Sequence, residues 1–240
     1  MVSDATTAPD VLLVPGAFSG AWIYAGVVER LAAQDVRAQV VELPSVGGPS
    51  TGDGFGADVA AVRAALDALT APVVLVAHSY GGSVITDAAA GPHPHVAELV
   101  YLCAAAPGSG GSMASATAAV TPEGQDSPIQ VDEHGLASFP REVARQALFN
   151  DADDDRAAVA LDQLRPQDMS GTDRPIATAA WTVLPYVDVS GTADLVPRAV
   201  HPDFAAGAAA SVELPSGHCP QWTEPALVAD LLAERVRTPR

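Results

Sequence analysis

The sequence contains no lysine, so arginine supplies all 12 of its basic residues against 29 acidic ones, and the formal net charge is −17 at pH 7. Nucleic acids and anionic membrane surfaces are therefore not expected as partners, because both carry negative charge. We interpret the acidity as a solvated surface without a role in substrate choice. The expected partner is a small-molecule substrate, and the expected state is a monomer or homodimer.

Cysteine is also scarce, with Cys103 and Cys219 as the only two. Their apolar or motif-like surroundings suit small buried side chains, which argues against a disulfide framework. No apolar run approaches the length needed to span a membrane, and the first ten residues lack the basic start and apolar core of a secretory signal. These absences favour a soluble, cytoplasmic protein with reduced thiols.

The sequence does contain a regular alternation of short apolar runs with longer segments of helical periodicity. This rhythm predicts one α/β domain with a doubly wound, mostly parallel sheet of about six strands. Strands are predicted at Val11–Val14, Val36–Leu43, Val73–Ala77, Glu98–Cys103, Leu184–Ser190 and Ala210–Leu214. Helices are predicted at Ala21–Ala33, Asp53–Leu69, Tyr80–Ala90, Pro197–Ala206 and Glu224–Val236.

The strand pattern is absent from about Gly108 to Trp181, where glycine, serine, alanine, proline and aspartate dominate. Since a simple loop of this length is uncommon in a compact domain, we interpret residues 108–181 as an inserted helical cap with helices at 140–149 and 153–164. Residues 1–107 and 182–240 then form the core. The acidic run at 150–155 is expected on the outside as a solvated helix start, with metal binding as the less favoured alternative.

One junction between a predicted strand and a predicted helix has a more specific sequence than a simple turn requires. A buried strand ends at Ala77, and the residues His-Ser-Tyr-Gly-Gly follow it. A serine with small residues two positions before and after it, here Ala77 and Gly81, is typical of a nucleophile elbow around Ser79. The backbone N–H of Tyr80 would then lie at a helix N-terminus, where it favours developing negative charge. The alternative is that Ser79 only caps the helix.

A serine nucleophile needs a base within hydrogen-bond reach, and that base needs an orienting group. Of the six histidines, His218 is the predicted base because it lies in a short glycine-bearing loop after the last strand. His78 adjoins the serine, but its ring is expected to point elsewhere. The other four are interpreted as solvated, namely His93 and His95 in a proline-rich loop, His134 in the cap, and His201 on a helix surface.

Two aspartates compete as the orienting group. Asp188 lies inside a strand pattern and is expected to act chiefly through stability, whereas Asp194 lies in the loop just past that strand. Asp194 is therefore the predicted acid, with N-capping of the following helix as the alternative. The chain order Ser79, Asp194, His218 is the order this triad takes in one particular fold.

With these pieces the sequence resembles the α/β-hydrolase superfamily, in particular its small capped branch of plant methyl-ester esterases, hydroxynitrile lyases and bacterial esterase-like proteins. The resemblance rests on residues 11–22, 77–82, 191–197 and 216–220 and covers nearly the whole chain outside the cap. It implies an oxyanion hole made by the backbone N–H groups of Ala17 and Tyr80, although Pro15-Gly16 stands where relatives often carry His-Gly. The apolar side chains expected to line the pocket, with core packing as the alternative, are Phe18, Trp22, Met113 and Trp181.

The resemblance implies hydrolysis of a carboxylic ester, lactone or thioester of a small to medium apolar molecule through an acyl-enzyme on Ser79, with no metal or organic cofactor. Hydroxynitrile-lyase chemistry is disfavoured, because such relatives usually place a lysine beside the catalytic histidine, where this chain has Cys219. Epoxide hydrolases and haloalkane dehalogenases carry an aspartate at the elbow, so Ser79 argues against both activities. A ligand-binding pseudo-hydrolase and a biosynthetic cyclase stay open as alternatives.

Overall fold

The computed structural model describes residues 10–124 and 127–238. No secretory signal is predicted in the first ten residues. All of these except Asp10 lie outside the described residues. The strands in these ranges are β1 (Val11–Val14), β2 (Ala38–Val40), β3 (Val73–His78), β4 (Val96–Leu102), β5 (Gln130–Val131), β6 (Ala137–Ser138), β7 (Tyr186–Gly191) and β8 (Ala210–Leu214). The α-helices are α1 (Ala25–Ala32), α2 (Gly54–Asp67), α3 (Gly81–Ala88), α4 (Met113–Val120), α5 (Arg141–Leu148), α6 (Asp154–Gln163), α7 (Phe204–Gly207), α8 (Pro220–Thr223) and α9 (Pro225–Arg237).

Six strands form one parallel sheet in the order β2-β1-β3-β4-β7-β8. The central strands β1 and β3 are buried along their whole length, which explains why both are continuous apolar runs instead of alternating patterns. The chain leaves β1 toward one edge and returns at β3 to build the other half of the sheet. The carboxyl ends of β1 and β3 therefore form a topological switch point, the usual place for a ligand site in an open α/β sheet.

Helices cover both faces of this sheet. On one face α1 and α9 bury the apolar side chains Val27, Leu31, Val228 and Leu232. On the other face α2 and α3 bury Val59, Val62, Val84 and Ile85. The predicted doubly wound α/β architecture is thus confirmed. No helix in the described ranges combines the length and apolar character needed to cross a bilayer.

The segment between β4 and β7 is less purely helical than the sequence predicts. The two predicted helices are present as α5 and α6, but α4 and the antiparallel β5-β6 hairpin were not predicted. Helix α4 buries none of its residues, so its sequence shows no apolar face, and two-residue strands are too short to show periodicity. The division into a core and a cap at 108–181 stays a prediction.

The helix predicted at Pro197–Ala206 is wrong over most of its length, because only its end lies in a helix, α7. Val200 instead forms a parallel β-bridge with Ala106, and the Arg198 guanidinium binds Asp188. These tertiary contacts override the local helical pattern.

Candidate active site

Ser79 lies in the sharp turn between β3 and α3 with a backbone φ of +50°, a left-handed conformation that is strained for a residue other than glycine. Its N–H donates to the Leu102 carbonyl (3.3 Å) and its own carbonyl accepts from the Ala105 N–H (3.0 Å). A Cβ on Gly81 would lie only 2.4 Å from the Pro15 carbonyl oxygen. Strand and helix therefore approach closely only because position 81 is glycine, as in a nucleophile elbow.

His218 and Asp194 meet Ser79 at the carboxyl edge of the sheet. His218 Nε2 lies 2.9 Å from Ser79 Oγ, and His218 Nδ1 lies 3.0 Å from both carboxylate oxygens of Asp194. The His218 and Asp194 side chains are only 3% and 5% exposed. Three loops, after β3, β7 and β8, thus bring together residues that are up to 139 positions apart in the chain.

The charge on Asp194 decides the protonation pattern of His218. Burial by itself would raise the pKa of Asp194, but hydrogen bonds from His218 and from the Val196 N–H hold that pKa below its ordinary value. An ionised carboxylate only accepts hydrogen bonds, so the His218 proton belongs on Nδ1. The lone pair of Nε2 then faces the Ser79 hydroxyl and can accept its proton.

The loops that carry Asp194 and His218 are tied together by the segment between β4 and β7. The Asn150 side chain donates to the Ala193 carbonyl at 2.9 Å, next to Asp194. The Asp151 carboxylate accepts from the Gly217 N–H at 2.6 Å, next to His218. Neither contact was predicted, because nothing local in the acidic run points to these loops.

The rest of the acidic run follows the sequence prediction of a helix start. Asp153 caps α6 by accepting from the Arg156 N–H at 2.8 Å, and Asp154 and Asp155 are exposed in the first turn, where negative charge is favourable. In the part of the chain that the structure describes, no group of three or more histidine, cysteine or acidic side chains is placed to hold a metal ion.

The two predicted oxyanion donors line the same cavity as Ser79. Within residues 10–124 and 127–238, neither the Ala17 N–H nor the Tyr80 N–H has a hydrogen-bond acceptor. The neighbouring Phe18 N–H, by contrast, donates to the side chain of Gln167. A Cβ on Gly16 would lie 3.1 Å from Ser79 Cβ, so glycine is needed for the Ala17 loop to approach the serine.

His78 contributes to the site in a way that the sequence analysis missed. Its ring packs 4.9 Å from the His218 ring, and its Nε2 lies 2.8 Å from the His218 carbonyl oxygen, to which it donates. Burial and the neighbouring His218 lower the pKa of His78 to about 3, so the ring is neutral at physiological pH. The ring has no hydrogen bond to Ser79 among the described residues but contacts the loop of His218; adjacency to the serine was the only sequence signal.

A cavity of about 390 Å³ opens above Ser79 and His218. Its wall is mainly apolar and includes two of the predicted pocket residues, Phe18 and Met113, together with residues that were not predicted: Val120, Ile129, Phe139, Leu148, Met169 and Leu195. Cys103 also lines the cavity, but burial raises the pKa of its thiol to about 12, so it remains protonated and is a poor rival nucleophile.

The other two predicted pocket residues, Trp22 and Trp181, do not line this cavity. Trp22 packs edge-on against Trp222, with ring centroids 5.4 Å apart, in the core cluster of α1 and α9. The indole N–H of Trp181 donates to the Pro107 carbonyl at 2.8 Å, and its ring packs against Phe204. Both are held in core clusters, the alternative that the sequence left open.

Asp188, His93 and His201 make no hydrogen bond to Ser79 or His218 among the described residues. Asp188 forms a two-point ion pair with Arg198, at 2.5 and 3.2 Å. His93 was predicted to be solvated but is buried, with Nε2 2.9 Å from Asp67. His201 precedes α7 instead of lying on a helix surface, and its ring packs near Trp181.

Comparison with known proteins extends these observations. A model of the alpha/beta hydrolase family matches residues 11–231. The chain is 30% identical over 239 residues to the alpha/beta hydrolase nvfD of Aspergillus novofumigatus, covering 93% of this chain and 95% of that protein. A pyrethroid hydrolase from Sphingobium faniae has a similar structure (TM-score 0.78, 23% identity, 97% of this chain and 99% of that one), as does the methylesterase MES16 from Arabidopsis (TM-score 0.74, 20% identity, 94% and 98%). The chain therefore belongs to the alpha/beta hydrolase family.

Proposed function

We propose that the protein is a serine hydrolase that cleaves a carboxylic ester, lactone or thioester of a small to medium apolar molecule. The observation that carries the proposal is the hydrogen-bonded series from Asp194 through His218 to Ser79, which ends in an apolar cavity. Membership of the family supports hydrolytic chemistry. The name of one protein of similar fold, a methylesterase, is in keeping with an ester substrate.

In the proposed acylation step, Ser79 Oγ attacks the acyl carbon while His218 Nε2 takes the hydroxyl proton. Asp194 stabilises the imidazolium that forms, because the ionised carboxylate already accepts the Nδ1 proton in the resting state. When the tetrahedral intermediate collapses, the bond to the leaving group breaks and His218 returns the proton to the departing oxygen or sulfur. The alcohol or thiol leaves, or in a lactone stays attached to the acyl group as a free hydroxyl, and the acyl group stays on Ser79.

Deacylation uses the same groups with water as the nucleophile. His218 Nε2 removes a proton from the water, the water oxygen attacks the acyl carbon, and the second tetrahedral intermediate expels Ser79, which takes its proton back from His218. In both steps the charge on the former carbonyl oxygen is stabilised by the N–H groups of Ala17 and Tyr80. One such donor contributes roughly 3 kcal/mol to transition-state stabilisation in comparable enzymes.

The cavity supports an uncharged, apolar substrate. Arg198 is the one arginine on the described part of its wall, and two of its nitrogens are engaged by Asp188. No aspartate or glutamate contributes to the described wall. An apolar acyl or alcohol group buried there gains hydrophobic free energy in proportion to the area it removes from water.

A fluorophosphonate probe tests the proposal directly. Intact-protein mass spectrometry of the native chain is expected to show one adduct, and the Ser79→Ala variant is expected to show none, since the probe reacts with an activated serine. Ser83→Ala is the matched control: this buried serine lies four residues further on and donates to Met113 Sδ, so its loss leaves the adduct in place.

Turnover of short-chain and aryl esters, lactones and thioesters then identifies the bond that is cleaved. If the adduct forms but no ester, lactone or thioester is turned over, the serine is activated without the proposed hydrolysis. That result would favour cyclase-type chemistry. A folded native chain that forms no adduct would overturn the acyl-enzyme mechanism and favour ligand binding.

A further inference from the structure

A buried chain of side chains links the two proposed oxyanion donors through the segment between β4 and β7. Gln167, which has no exposed surface, accepts from the Phe18 N–H through Oε1 (2.8 Å). Its Nε2 donates to Ser45 Oγ (2.9 Å). Ser45 Oγ donates to Asp58 Oδ2 (2.6 Å), and the same oxygen accepts from the Tyr80 hydroxyl (2.8 Å). The series therefore runs from the residue after Ala17 to the residue after Ser79.

The direction of every hydrogen bond in this series is determined by its end at Asp58. Oδ1 of Asp58 accepts from the Ser45 N–H at 3.0 Å, while Oδ2 accepts from the two hydroxyls. Because the Ser45 proton is committed to Asp58, Ser45 Oγ can only accept from Gln167. The amide nitrogen of Gln167 must therefore face Ser45, which leaves its oxygen for Phe18. A flipped amide would place two donors against each other at Phe18 and two acceptors at Ser45.

This orientation decides which amide of the loop after β1 is free for a substrate. Phe18 has a left-handed backbone with φ of +63°, and a buried N–H without an acceptor costs free energy. Gln167 satisfies that N–H and holds the turn, while the preceding residue Ala17 lines the cavity and its N–H has no acceptor among the described residues. At the other end, Asp58 holds the Tyr80 ring and with it the elbow.

The backbone of Gln167 is itself fixed. Its N–H and carbonyl pair with Ala137 of β6 at 2.9 and 2.8 Å, and the N–H of the next residue, Asp168, donates to the Ser45 carbonyl at 2.9 Å. The amide side chain therefore enters the core from an anchored strand. A side chain delivered in this way is preorganised, which electrostatic stabilisation of a transition state requires.

We propose that Gln167 is a positioning residue for the oxyanion hole: acting through Phe18, Ser45 and Asp58, it holds the N–H groups of Ala17 and Tyr80 at a fixed separation. The proposal rests on the proposed hydrolase function. It assigns to the segment between β4 and β7 a role in transition-state stabilisation, in addition to forming the cavity wall.

The test compares two variants. Gln167→Met keeps the side-chain volume and removes both hydrogen bonds of the amide. Ser45→Ala keeps the amide oxygen of Gln167 as the acceptor for Phe18 but frees the amide to rotate. With a p-nitrophenyl ester, kcat is expected to fall roughly 10- to 100-fold in Gln167→Met and about tenfold in Ser45→Ala, while KM changes little. Phenylboronic acid, which forms a tetrahedral adduct on an active serine, is expected to lose affinity by the same factors. The end-point fluorophosphonate adduct still forms.

Gln221→Met is the matched control. Gln221 is buried, and neither polar atom of its side chain has a partner in the described chain, so this change leaves kcat and boronate affinity unaltered. A folded Gln167→Met variant with native kcat and boronate affinity overturns the proposal. If Gln167→Met does not fold, native values in Ser45→Ala overturn it. A native enzyme that reacts with neither probe nor ester instead overturns the hydrolase function itself.

Discussion

Asp151 accepts a hydrogen bond from the backbone N–H of Gly217, the residue that precedes His218, at a distance of 2.6 Å. Asp151 lies between β4 and β7, whereas Gly217 follows β8, so this contact couples the segment between β4 and β7 to the loop of the proposed base. A Cβ on Gly217 would lie 2.6 Å from the same carboxylate, which shows how closely the Asp151 side chain approaches this loop. The position of His218 thus depends on a residue that lies outside the reacting groups.

Removing this contact is expected to weaken catalysis more than stability. In Asp151→Ala the loop of His218 loses its anchor, and we expect a loss in kcat of about tenfold, because small displacements of a base are costly. Asp151→Asn keeps an acceptor and should restore most of the activity. Asp155→Ala, an exposed acidic residue of the same run, is the control; an equal loss in both alanine variants would point to a general charge effect.

Replacing Asp194 with Asn is expected to lower kcat by roughly 10⁴-fold, the loss known for the equivalent change in another serine hydrolase, because an amide no longer holds the His218 tautomer. Asp188→Asn breaks the ion pair with Arg198, so its main effect should be a lower melting temperature. Kinetics and thermal unfolding of both variants separate the roles. Loss of turnover in well-folded Asp188→Asn would transfer the role of acid to that residue.

The neutral state of His78 predicts a pH dependence of stability. With a folded pKa of about 3 against an ordinary value of 6.5, the unfolded state binds the extra proton between these values. The free energy of unfolding therefore falls as the pH drops below 6.5, by about 2 kcal/mol at pH 5 for this group. His78→Gln, which keeps a donor for the His218 carbonyl, should lose less stability over the same range. Denaturant titrations of the native chain and of His78→Gln at pH 6.5 and 5 measure this difference. An equal loss of unfolding free energy in both proteins between these pH values would contradict a buried neutral ring.

Gly16→Ala is expected to disturb the loop of Ala17. Its new methyl group would lie 2.5 Å from His78 Nδ1 and 3.1 Å from Ser79 Cβ, so either the loop or the ring must move. We expect kcat to fall by at least about tenfold, because an oxyanion donor is displaced. Gly20→Ala in the same loop meets nothing closer than 3.4 Å and should retain activity. Similar kinetics for both variants would argue against a close fit at Gly16.

Much of the fold was predictable because its signals are local. The buried strands β1 and β3 are unbroken apolar runs, and β1 and β8 were predicted at their observed bounds. The failed helix at 197–206 shows the limit, since a bridge at Val200 and an ion pair at Arg198 are made by residues distant in sequence. Trp22 and Trp181 show the same limit, because apolar character alone does not tell a cavity wall from a core.

The sequence by itself determined the α/β class, the strained turn at Ser79 and the two loops that carry Asp194 and His218, because strand periodicity, small residues at a turn and loop position are properties of neighbouring residues. Only the tertiary structure decided that these three side chains meet, that Asp151 bonds the loop of His218 and that Gln167 bonds the loop of Ala17. Those contacts join residues far apart in the chain, such as Phe18 and Gln167, which are 149 positions apart. Their existence depends on how the sheet, the helices and the segment between β4 and β7 pack, which no local pattern encodes.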